Sequence, residues 1–501
     1  MEKAYLDFFS YQAKWNATKE AIYDCDAEKR YTFQDLDQRS EQLARFLVGS
    51  LGLRKGDCVA FCSRNSMAHF DMFFAARKTG IIITTYNYML RPAELSQLMN
   101  NERPKVLFYD AMLENHLDIW RKLPFLKAII VLHGKSACQD VLDYERVIAG
   151  TYPPFTPADM EPEDILMYIH TGGTTGIPKA AQMSYRAIVS NCLSEIISFG
   201  LSYLDVGYQF LPLFHTGGWN VITLPLLFCG GRIVLKRDLV PEVILHLMET
   251  EHVTVGVSVP TIYASLAESP NFSRTNFSSL RWLIVGAAPV REKILRKYLD
   301  HGIKMCNSYG MTEVGPNNIS LPIDFVSMRT LEEHWNSVGK PMFLNSVKII
   351  DEDGKEVESG VCGELCFQGP LLFSGYLSQE EETASVFRDG WMHTGDVVKA
   401  DENGYLYVVG RKKNMIISGG ENLFPAEIEE TISHCDGVRE VCVYGVPDDR
   451  WGEVPHALIV PAGNTLTHEM VYQYFKSRGI TFYVVERLKV LCHNGFNTCY
   501  P

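Results

Sequence analysis

Short apolar runs alternate with longer amphipathic stretches over about the first 330 residues. Cys58–Cys62 (CVAFC), Lys105–Tyr109, Ala128–Leu132 and Ile165–His170 have strand length and are rich in branched and aromatic residues, so they read as buried strands. Between and after them, Ser66–Thr79 (SMAHFDMFFAARKT) and Ser184–Phe199 place apolar residues at helical spacing. Val253–Val259 and Trp282–Val285 then resume the strand pattern. Strands separated by helices predict parallel sheets covered on both faces. The expected class is α/β, with doubly wound sheets.

From about Ser337 the texture changes. Val347–Ile350, Glu364–Phe367 and Tyr405–Val409 are short strand patterns linked by turns such as Asp351-Glu-Asp-Gly354, which predicts a small antiparallel β unit over about 337–409. Beyond Arg411, Pro425 opens a helical stretch (PAEIEETISH), at a position where its missing N–H costs nothing. Strands at Val441–Tyr444, Ala457–Val460 and Tyr483–Val490 and a helix at His468–Lys476 complete an α+β pattern. The expected division is a large N-terminal domain, 1–411, that includes the β unit, and a small C-terminal domain, 412–501.

Composition narrows the partners. At roughly 150 residues per domain, 501 residues suit a large domain with a small one. Hydrophobic residues at 46% and charged residues at 21% exclude disorder and fibres. The 47 basic and 60 acidic side chains give a net charge of −13. That sign speaks against nucleic acid or an anionic membrane as partner, while a locally positive pocket still suits an anionic small ligand. The 13 cysteines are odd in number and contain no CxxC pair, which points to free thiols in a reducing compartment and to no zinc site. The first residues carry acids and no apolar segment of signal-peptide type. Phe210–Leu235, the most apolar region, is broken by Pro212, His215, Gly217, Gly218 and Pro225, too often for an integral membrane span. These features predict a cytoplasmic protein.

The most informative stretch is Thr171-Gly-Gly-Thr-Thr-Gly-Ile-Pro-Lys179, after a strand and before a helix. Its glycines allow close backbone approach, Thr171, Thr174 and Thr175 offer hydroxyl donors, and Lys179 adds a positive charge. Such a loop can cradle a polyphosphate. It is not a Walker loop, since Pro178 precedes the lysine and Ala180 follows it. An ordinary Gly-rich turn has the same local text, so the loop alone does not decide.

Its company does. Tyr309-Gly-Met-Thr-Glu313, Thr394-Gly-Asp396 and Gly410-Arg-Lys-Lys-Asn-Met-Ile-Ile-Ser-Gly-Gly-Glu-Asn422 come after it in that order. The set resembles the adenylate-forming superfamily of acyl-CoA synthetases, non-ribosomal peptide adenylation domains and luciferases, from about Tyr31 to the C-terminal end. The pattern is most similar to acyl-CoA ligases, and the resemblance implies a role for each matching residue. Thr171, Thr174, Thr175, Gly176 and Lys179 would hold the β- and γ-phosphates of ATP. Glu313 would ligate Mg²⁺, a hard cation suited to carboxylate oxygen. Tyr309 would stack on adenine with Gly310 and Met311 beside it, and Thr312 would lie near the α-phosphate. Asp396 would accept the ribose hydroxyls, with Arg411 close by. Lys413 matches the hinge about which a mobile C-terminal domain rotates between two steps. Gly419 and Gly420 would line the tunnel for the pantetheine arm of coenzyme A. Read singly, Tyr309 also fits a core tyrosine, Asp396 a turn cap, and Gly419-Gly420 a plain turn.

The chemistry the resemblance implies is attack of a carboxylate on the α-phosphorus of ATP, then displacement of AMP by a thiol. Pro212-Leu-Phe-His215-Thr-Gly-Gly-Trp219 resembles the acyl-pocket wall, with His215 and Trp219 as pocket residues. Gly286-Ala287-Ala288 resembles the loop along the acyl and adenine side. No Asp or Glu stands in that wall to pair an ammonium group, which favours a plain carboxylic acid. A fatty or other aliphatic acid is favoured over an aryl acid. His215 also fits a buried histidine with a backbone partner.

The pattern breaks near the C-terminus. Aligned on the family's final lysine stands Thr498, with Asn497 in place of a glycine, and no lysine follows Lys489. Charge stabilisation of this kind is typically worth about 3–4 kcal/mol, or roughly 10²–10³ in rate, so the first step is expected to be impaired. A truncated or frameshifted end, a slow natural variant and a protein that has abandoned that step remain alternatives. Gly172 and Ala180 are lesser departures, from a serine and a glycine. A carrier-protein thiol in place of coenzyme A, and a nucleotide- or acyl-binding protein without full catalysis, stay open as readings. The resemblance also admits a homodimer.

Overall fold

The computed structural model describes residues 8–172, 178–463, 466–477 and 489–492. Contacts divide the chain into two compact units. The first takes the residues up to Ser346 together with Gln368–Met392, and the second takes Val347–Phe367 together with those from His393 onward.

The first unit holds two sheets. The chain lays down β1 (Glu20–Asp24) and β2 (Lys29–Thr32), then leaves to build another sheet from β3 (Cys58–Cys62), β4 (Ile82–Thr85) and β5 (Val106–Asp110). That sheet continues with β6 (Ala128–Leu132), β7 (Leu142–Asp143), β8 (Ile165–Thr171) and β9 (Lys179–Ser184). The chain then returns with β10 (Val206–Gln209), β11 (Arg232–Leu235), β12 (Val255–Ser258) and β13 (Trp282–Val285), and ends on β14 (Lys304–Met311), β15 (Gly315–Ser320) and β16 (Lys340–Pro341). The seven-stranded sheet runs β7-β6-β5-β3-β4-β8-β9 and the nine-stranded one β16-β15-β14-β13-β12-β10-β11-β1-β2. Pairing is parallel except at β8–β9, β14–β15, β15–β16 and β1–β2.

β3 and β13 bury every residue, as strands covered on both faces must. Helix α1 (Phe33–Ala44) opens on a capping box between Thr32 and Asp35, which satisfies orphan N–H groups at its start. The spacing over helix α2 (Met67–Thr79) predicts one apolar face, yet every residue but Arg77 and Lys78 is buried. A helix so enclosed takes polar residues inside with it, and these need partners. Asp71 is fully buried; Arg39 from α1 reaches it with Nε at 3.0 and 3.1 Å, and Tyr144 Oη donates at 2.6 Å. The apolar Phe210–Leu235 region resolves into two short helices, Thr216–Asn220 and Thr223–Cys229, followed by β11. Among the described residues no helix is long and apolar enough to cross a membrane, and the cysteines from Cys25 to Cys442 form no disulfide.

Most of a further sheet, β17 (Ser346–Ile350), β18 (Gly363–Gln368), β20 (Trp391–Ala400) and β21 (Leu406–Arg411), belongs to the second unit, while β19 (Phe387–Arg388) and the first two residues of β20, with which it pairs, belong to the first. β20 is ten residues long and carries no strand signal in the sequence, because its text (WMHTGDVVKA) mixes small, polar and apolar residues. The C-terminal strands are β22 (Ile416–Ser418), β23 (Glu421–Leu423), β24 (Val438–Asp448), β25 (Gly452–Pro461) and β26 (Lys489–Cys492). They order β23-β22-β25-β24, with β26 parallel to β25. The helix Pro425–Ser433 packs Ile428 and Ile432 with Ile416, Val443, Ala457 and Ile459. The strand expected at Tyr483–Val490 falls outside the described residues up to Leu488.

The Arg39–Asp71 pair sets a test of this packing. Arg39→Met leaves a buried carboxylate without its cation and is expected to cost about 3 kcal/mol. Arg39→Met combined with Asp71→Leu should recover most of that loss. Thermal midpoints of the two variants against the parent chain check both outcomes.

Candidate functional site

In the β8–β9 hairpin Thr171 lies opposite Lys179, and His170 opposite Ala180. Thr171 and Lys179 therefore stand at the two strand ends from which the Gly-rich loop departs. Thr174, Thr175 and Gly176 lie outside the described residues. Alongside β9 runs the segment 374–377. Ser374 N–H donates to Gln182 O at 2.8 Å, Gln182 N–H to Gly375 O at 2.9 Å and Leu377 N–H to Ala180 O at 2.9 Å. This register sets Tyr376 opposite Ala181, with the Lys179 ammonium 5.1 Å from the tyrosine ring centroid.

The other sheet supplies a second group of residues. β13 and β14 run in parallel with Val285 beside Asn307, and Gly286 N–H donates to Ser258 O at 3.0 Å. Gly286, Ala287 and Ala288 thus leave the C-terminal end of a parallel strand, the end at which open α/β sheets bind ligands. Ala287 and Ala288 are exposed. Ala287 has φ +68°, a left-handed conformation that favours glycine. Asn307 pins this loop, accepting from Val290 N–H at 3.0 Å and donating to Trp335 O at 2.8 Å.

β14 turns directly into β15, with Tyr309 opposite Ile319. A Cβ on Gly310 would fall 2.3 Å from Pro316 O, so any other residue near the end of β14 would push the two strands apart. Tyr309, Gly310, Met311 and Thr312 are half-buried, and Glu313 is 5% exposed. Tyr376 Oη donates to Glu313 Oε1 at 2.7 Å, and Phe373 N–H to Glu313 O at 2.9 Å. Lys179 and Glu313, from different sheets, both touch Tyr376, one at its ring and the other at its hydroxyl.

His215 precedes the short helix Thr216–Asn220, which packs against β15. Its surface is open to solvent, but surrounding protein desolvates the imidazole and holds its pKa below the ordinary value. Trp219 is fully buried, with ring centroids of Phe70 and Phe73 each at 5.6 Å, and its Nε1 donates to Leu213 O at 2.6 Å. It braces the Pro212–Trp219 segment from the core and offers no face to a ligand, unlike the pocket position expected for it.

The second unit carries the remaining candidates. Asp396 and Arg411 lie opposite each other on β20 and β21 and form an ion pair at 2.5 Å, with Asp396 buried and Arg411 exposed. Asp396 N–H donates to Thr394 Oγ1 at 3.0 Å and Arg411 to Thr394 O at 3.2 Å. Lys413 is exposed in the turn Lys412–Asn414. Gly419 and Gly420 have φ of +60° and +85°, and a Cβ on Gly420 would meet nothing within 4 Å.

A model of the AMP-binding enzyme family matches residues 9–377, and one of the AMP-binding enzyme C-terminal domain matches residues 427–491. The chain belongs to the AMP-binding enzyme family. It is 34% identical to a feruloyl-CoA synthase of Amycolatopsis sp, over 89% of this chain and 87% of that one. It is 33% identical to an indoleacetate–CoA ligase of Aromatoleum aromaticum, over 90% and 87%. Its fold superposes on ATP-bound MatB from Rhodopseudomonas palustris with a TM-score of 0.86 at 28% identity, covering 97% and 95%. This AMP-binding enzyme is a ligase of the acyl-CoA synthetase kind.

Two features of the AMP-binding enzyme's site carry no motif. Tyr376 sits in plain Ser-Gly-Tyr-Leu text, and only its register on β9 gives it a role. Glu195 is fully buried behind β15, where desolvation drives its carboxyl far above the usual range although Asn317 Nδ2 donates to it at 3.1 Å. Two substitutions separate the backbone constraints. Gly310→Ala should cost about 1–3 kcal/mol by overpacking. Ala287→Gly should be neutral or gain up to about 1 kcal/mol by relieving its positive φ. Denaturant midpoints of the two variants would reveal the opposite signs.

Proposed function

We propose that this AMP-binding enzyme activates a carboxylic acid with ATP and Mg²⁺ as acyl-AMP and passes the acyl group to coenzyme A. The observation that carries this reading is the Lys179–Tyr376–Glu313 constellation, in which one tyrosine has a cation over its ring and a buried carboxylate at its hydroxyl. The donor set fits the ligand: one carboxylate beside substrate phosphates is the way Mg²⁺ is usually bound. In this reading Glu313 holds the metal, which neutralises phosphate charge when bound. Thr171, Thr174, Thr175, Gly176 and Lys179 hold the β- and γ-phosphates, and Gly286, Ala287, Ala288, Tyr309, Gly310, Met311 and Thr312 line the nucleotide.

The carboxylate oxygen attacks the α-phosphorus, the bond to the bridging oxygen breaks, and pyrophosphate departs. The thiol of coenzyme A then gives up its proton to solvent, its sulfur attacks the acyl carbon, and the bond from that carbon to the phosphate oxygen breaks to release AMP. The protein's contribution is to orient these groups and balance their charge. Asp396 accepts the ribose hydroxyls next to Arg411, Lys413 serves as hinge near a boundary at 411/412, and Gly419 and Gly420 border the pantetheine path. His215 orients the acid carboxylate as a neutral hydrogen-bonding group. The acids named for the two relatives, feruloyl and indoleacetate, are aromatic. A further relative, 29% identical over 91% of this chain, is named for long-chain fatty acids, so the aliphatic acid favoured by the wall residues is kept beside an aryl or arylalkyl one.

ATP–pyrophosphate exchange with a panel of aryl, arylalkyl and aliphatic acids tests the reading. Thr498→Lys is expected to raise exchange by roughly 10²–10³. Silence of both chains across the panel would leave the protein as a nucleotide or acyl binder. For His215 the low pKa fixes the sign of the pH dependence. Desolvation favours the neutral imidazole, so the KM for the acid should be flat on the alkaline side and change only as pH falls through the lowered value. His215→Ala should raise the KM for the acid while leaving that for ATP unchanged, as measured by initial rates.

A further inference from the structure

One buried ion pair lies directly beneath the strand ends that carry Thr171 and Lys179. His170 precedes Thr171 and faces Ala180, the neighbour of Lys179. Its side chain is 8% exposed, and both ring nitrogens meet oxygen acceptors. Nδ1 faces the Thr85 carbonyl at 3.1 Å and Nε2 the Glu102 carboxylate at 2.7 Å. Glu102 ends the helix Pro92–Glu102, and its other oxygen accepts from Thr84 Oγ1 at 2.6 Å and Tyr86 Oη at 2.9 Å. A ring whose two nitrogens both face acceptors carries a proton on each, so the pair is an imidazolium and a carboxylate.

The surroundings keep it so. Burial by itself lowers the imidazole's pKa, but the Glu102 charge and hydrogen bond, with the Thr85 carbonyl, outweigh it and raise the value above the ordinary one. The other titratable groups around the pair are Tyr86, whose ring centroid is 5.3 Å from the imidazole, Tyr168 on β8 and Cys58 on β3. Burial pushes all three upward and keeps them neutral near pH 7.

We infer that His170 and Glu102 are positioning residues for the nucleotide: they fix the base from which Thr171 and Lys179 reach the phosphates and keep that base free of net negative charge. This rests on the ligase reading. Loss of the imidazole proton would leave the Glu102 carboxylate unneutralised below the site where the phosphates are held. The favourable pairing is complete below the ordinary histidine value and is lost as pH rises through the raised one, so ATP affinity should fall on the alkaline side.

Calorimetric titration of the full chain with ATP and Mg²⁺ across the range from pH 6 to about 9, where a raised histidine titrates, tests the inference. Glu102→Gln should weaken ATP binding roughly tenfold through misplacement and move the alkaline fall to lower pH. Tyr86→Phe keeps the pair but removes a donor to the carboxylate, making it more basic. It should lose less than about threefold and move the fall to higher pH. If Glu102→Gln does not fold, the upward shift in Tyr86→Phe alone decides. Variants with a lower thermal midpoint but an unchanged Kd and pH profile for ATP would overturn the inference and leave the ligase reading standing. Absence of ATP binding by the parent chain would remove both.

Discussion

The hydrogen bond from Tyr376 to Glu313 ties together the two sheets of the first unit at the place where their chemistry is needed. Residues 374–377 pair with β9 in one sheet, while Phe373 N–H and Tyr376 Oη hold the backbone and side chain of Glu313 at the turn between β14 and β15 of the other. The same ring lies against Lys179, and a cation over an aromatic face is held in direction as well as in place. Without this tyrosine, the backbone bond from Phe373 to Glu313 would remain, but nothing would set the glutamate side chain relative to the lysine. Charge stabilisation works through groups fixed before the reaction begins, and here one side chain fixes two of them.

Behind each such group stands a buried polar contact that keeps it in place. Asn307 clamps the loop that carries Gly286, Ala287 and Ala288, Asn317 meets the neutral Glu195 behind the strand after Glu313, and Glu102 holds His170 beneath Thr171. Polar groups are costly to bury unless they are hydrogen-bonded. A core built for stability alone would fill these positions with apolar residues. Their placement within one or two strand positions of the candidate ligand groups connects the energetics of the core to the geometry of the site.

The sequence is most readable where local chemistry is uniform. Trp282–Val285 and Ala128–Leu132 form the strands expected, because every position of one and nearly every position of the other is enclosed and apolar. The Thr171–Lys179 loop and the Tyr309–Glu313 turn are legible as motifs. Misreadings arise where burial depends on distant partners. Met67–Thr79 looks one-sided in the sequence, but the pairing of Asp71 with Arg39 lets even its polar face go inside. Trp219 follows two glycines in wall-like text, and which way its indole turns is decided by Phe70 and Phe73 on another helix. β24 extends beyond Val441–Tyr444 at both ends because hydrogen bonding to β25 carries it through half-exposed residues. Tyr376 could not be singled out, since its importance comes from a strand register that no local pattern encodes.

A net charge of −13 is on its face a poor setting for a polyphosphate, and the resolution lies in how the acids are distributed. Many of the buried acids stand against a cation: Asp71 with Arg39, Asp110 with Arg64, Asp205 with Arg281, Glu102 with His170 and Asp396 with Arg411, while Glu313 accepts from Tyr376 Oη and Asp24 from backbone N–H groups. Buried charges are screened least, so an unmatched ionised acid in the core would act on a bound anion over the longest range. Many of the other acids among the described residues lie on exposed surface, where salt confines their field to about 8 Å at physiological ionic strength. The charge at the two strand ends is therefore set locally, by Lys179 and by a histidine that faces the nearest carboxylate. The acidic composition and the anionic ligand are compatible because the buried acids are answered by a nearby cation or by hydrogen-bond donors.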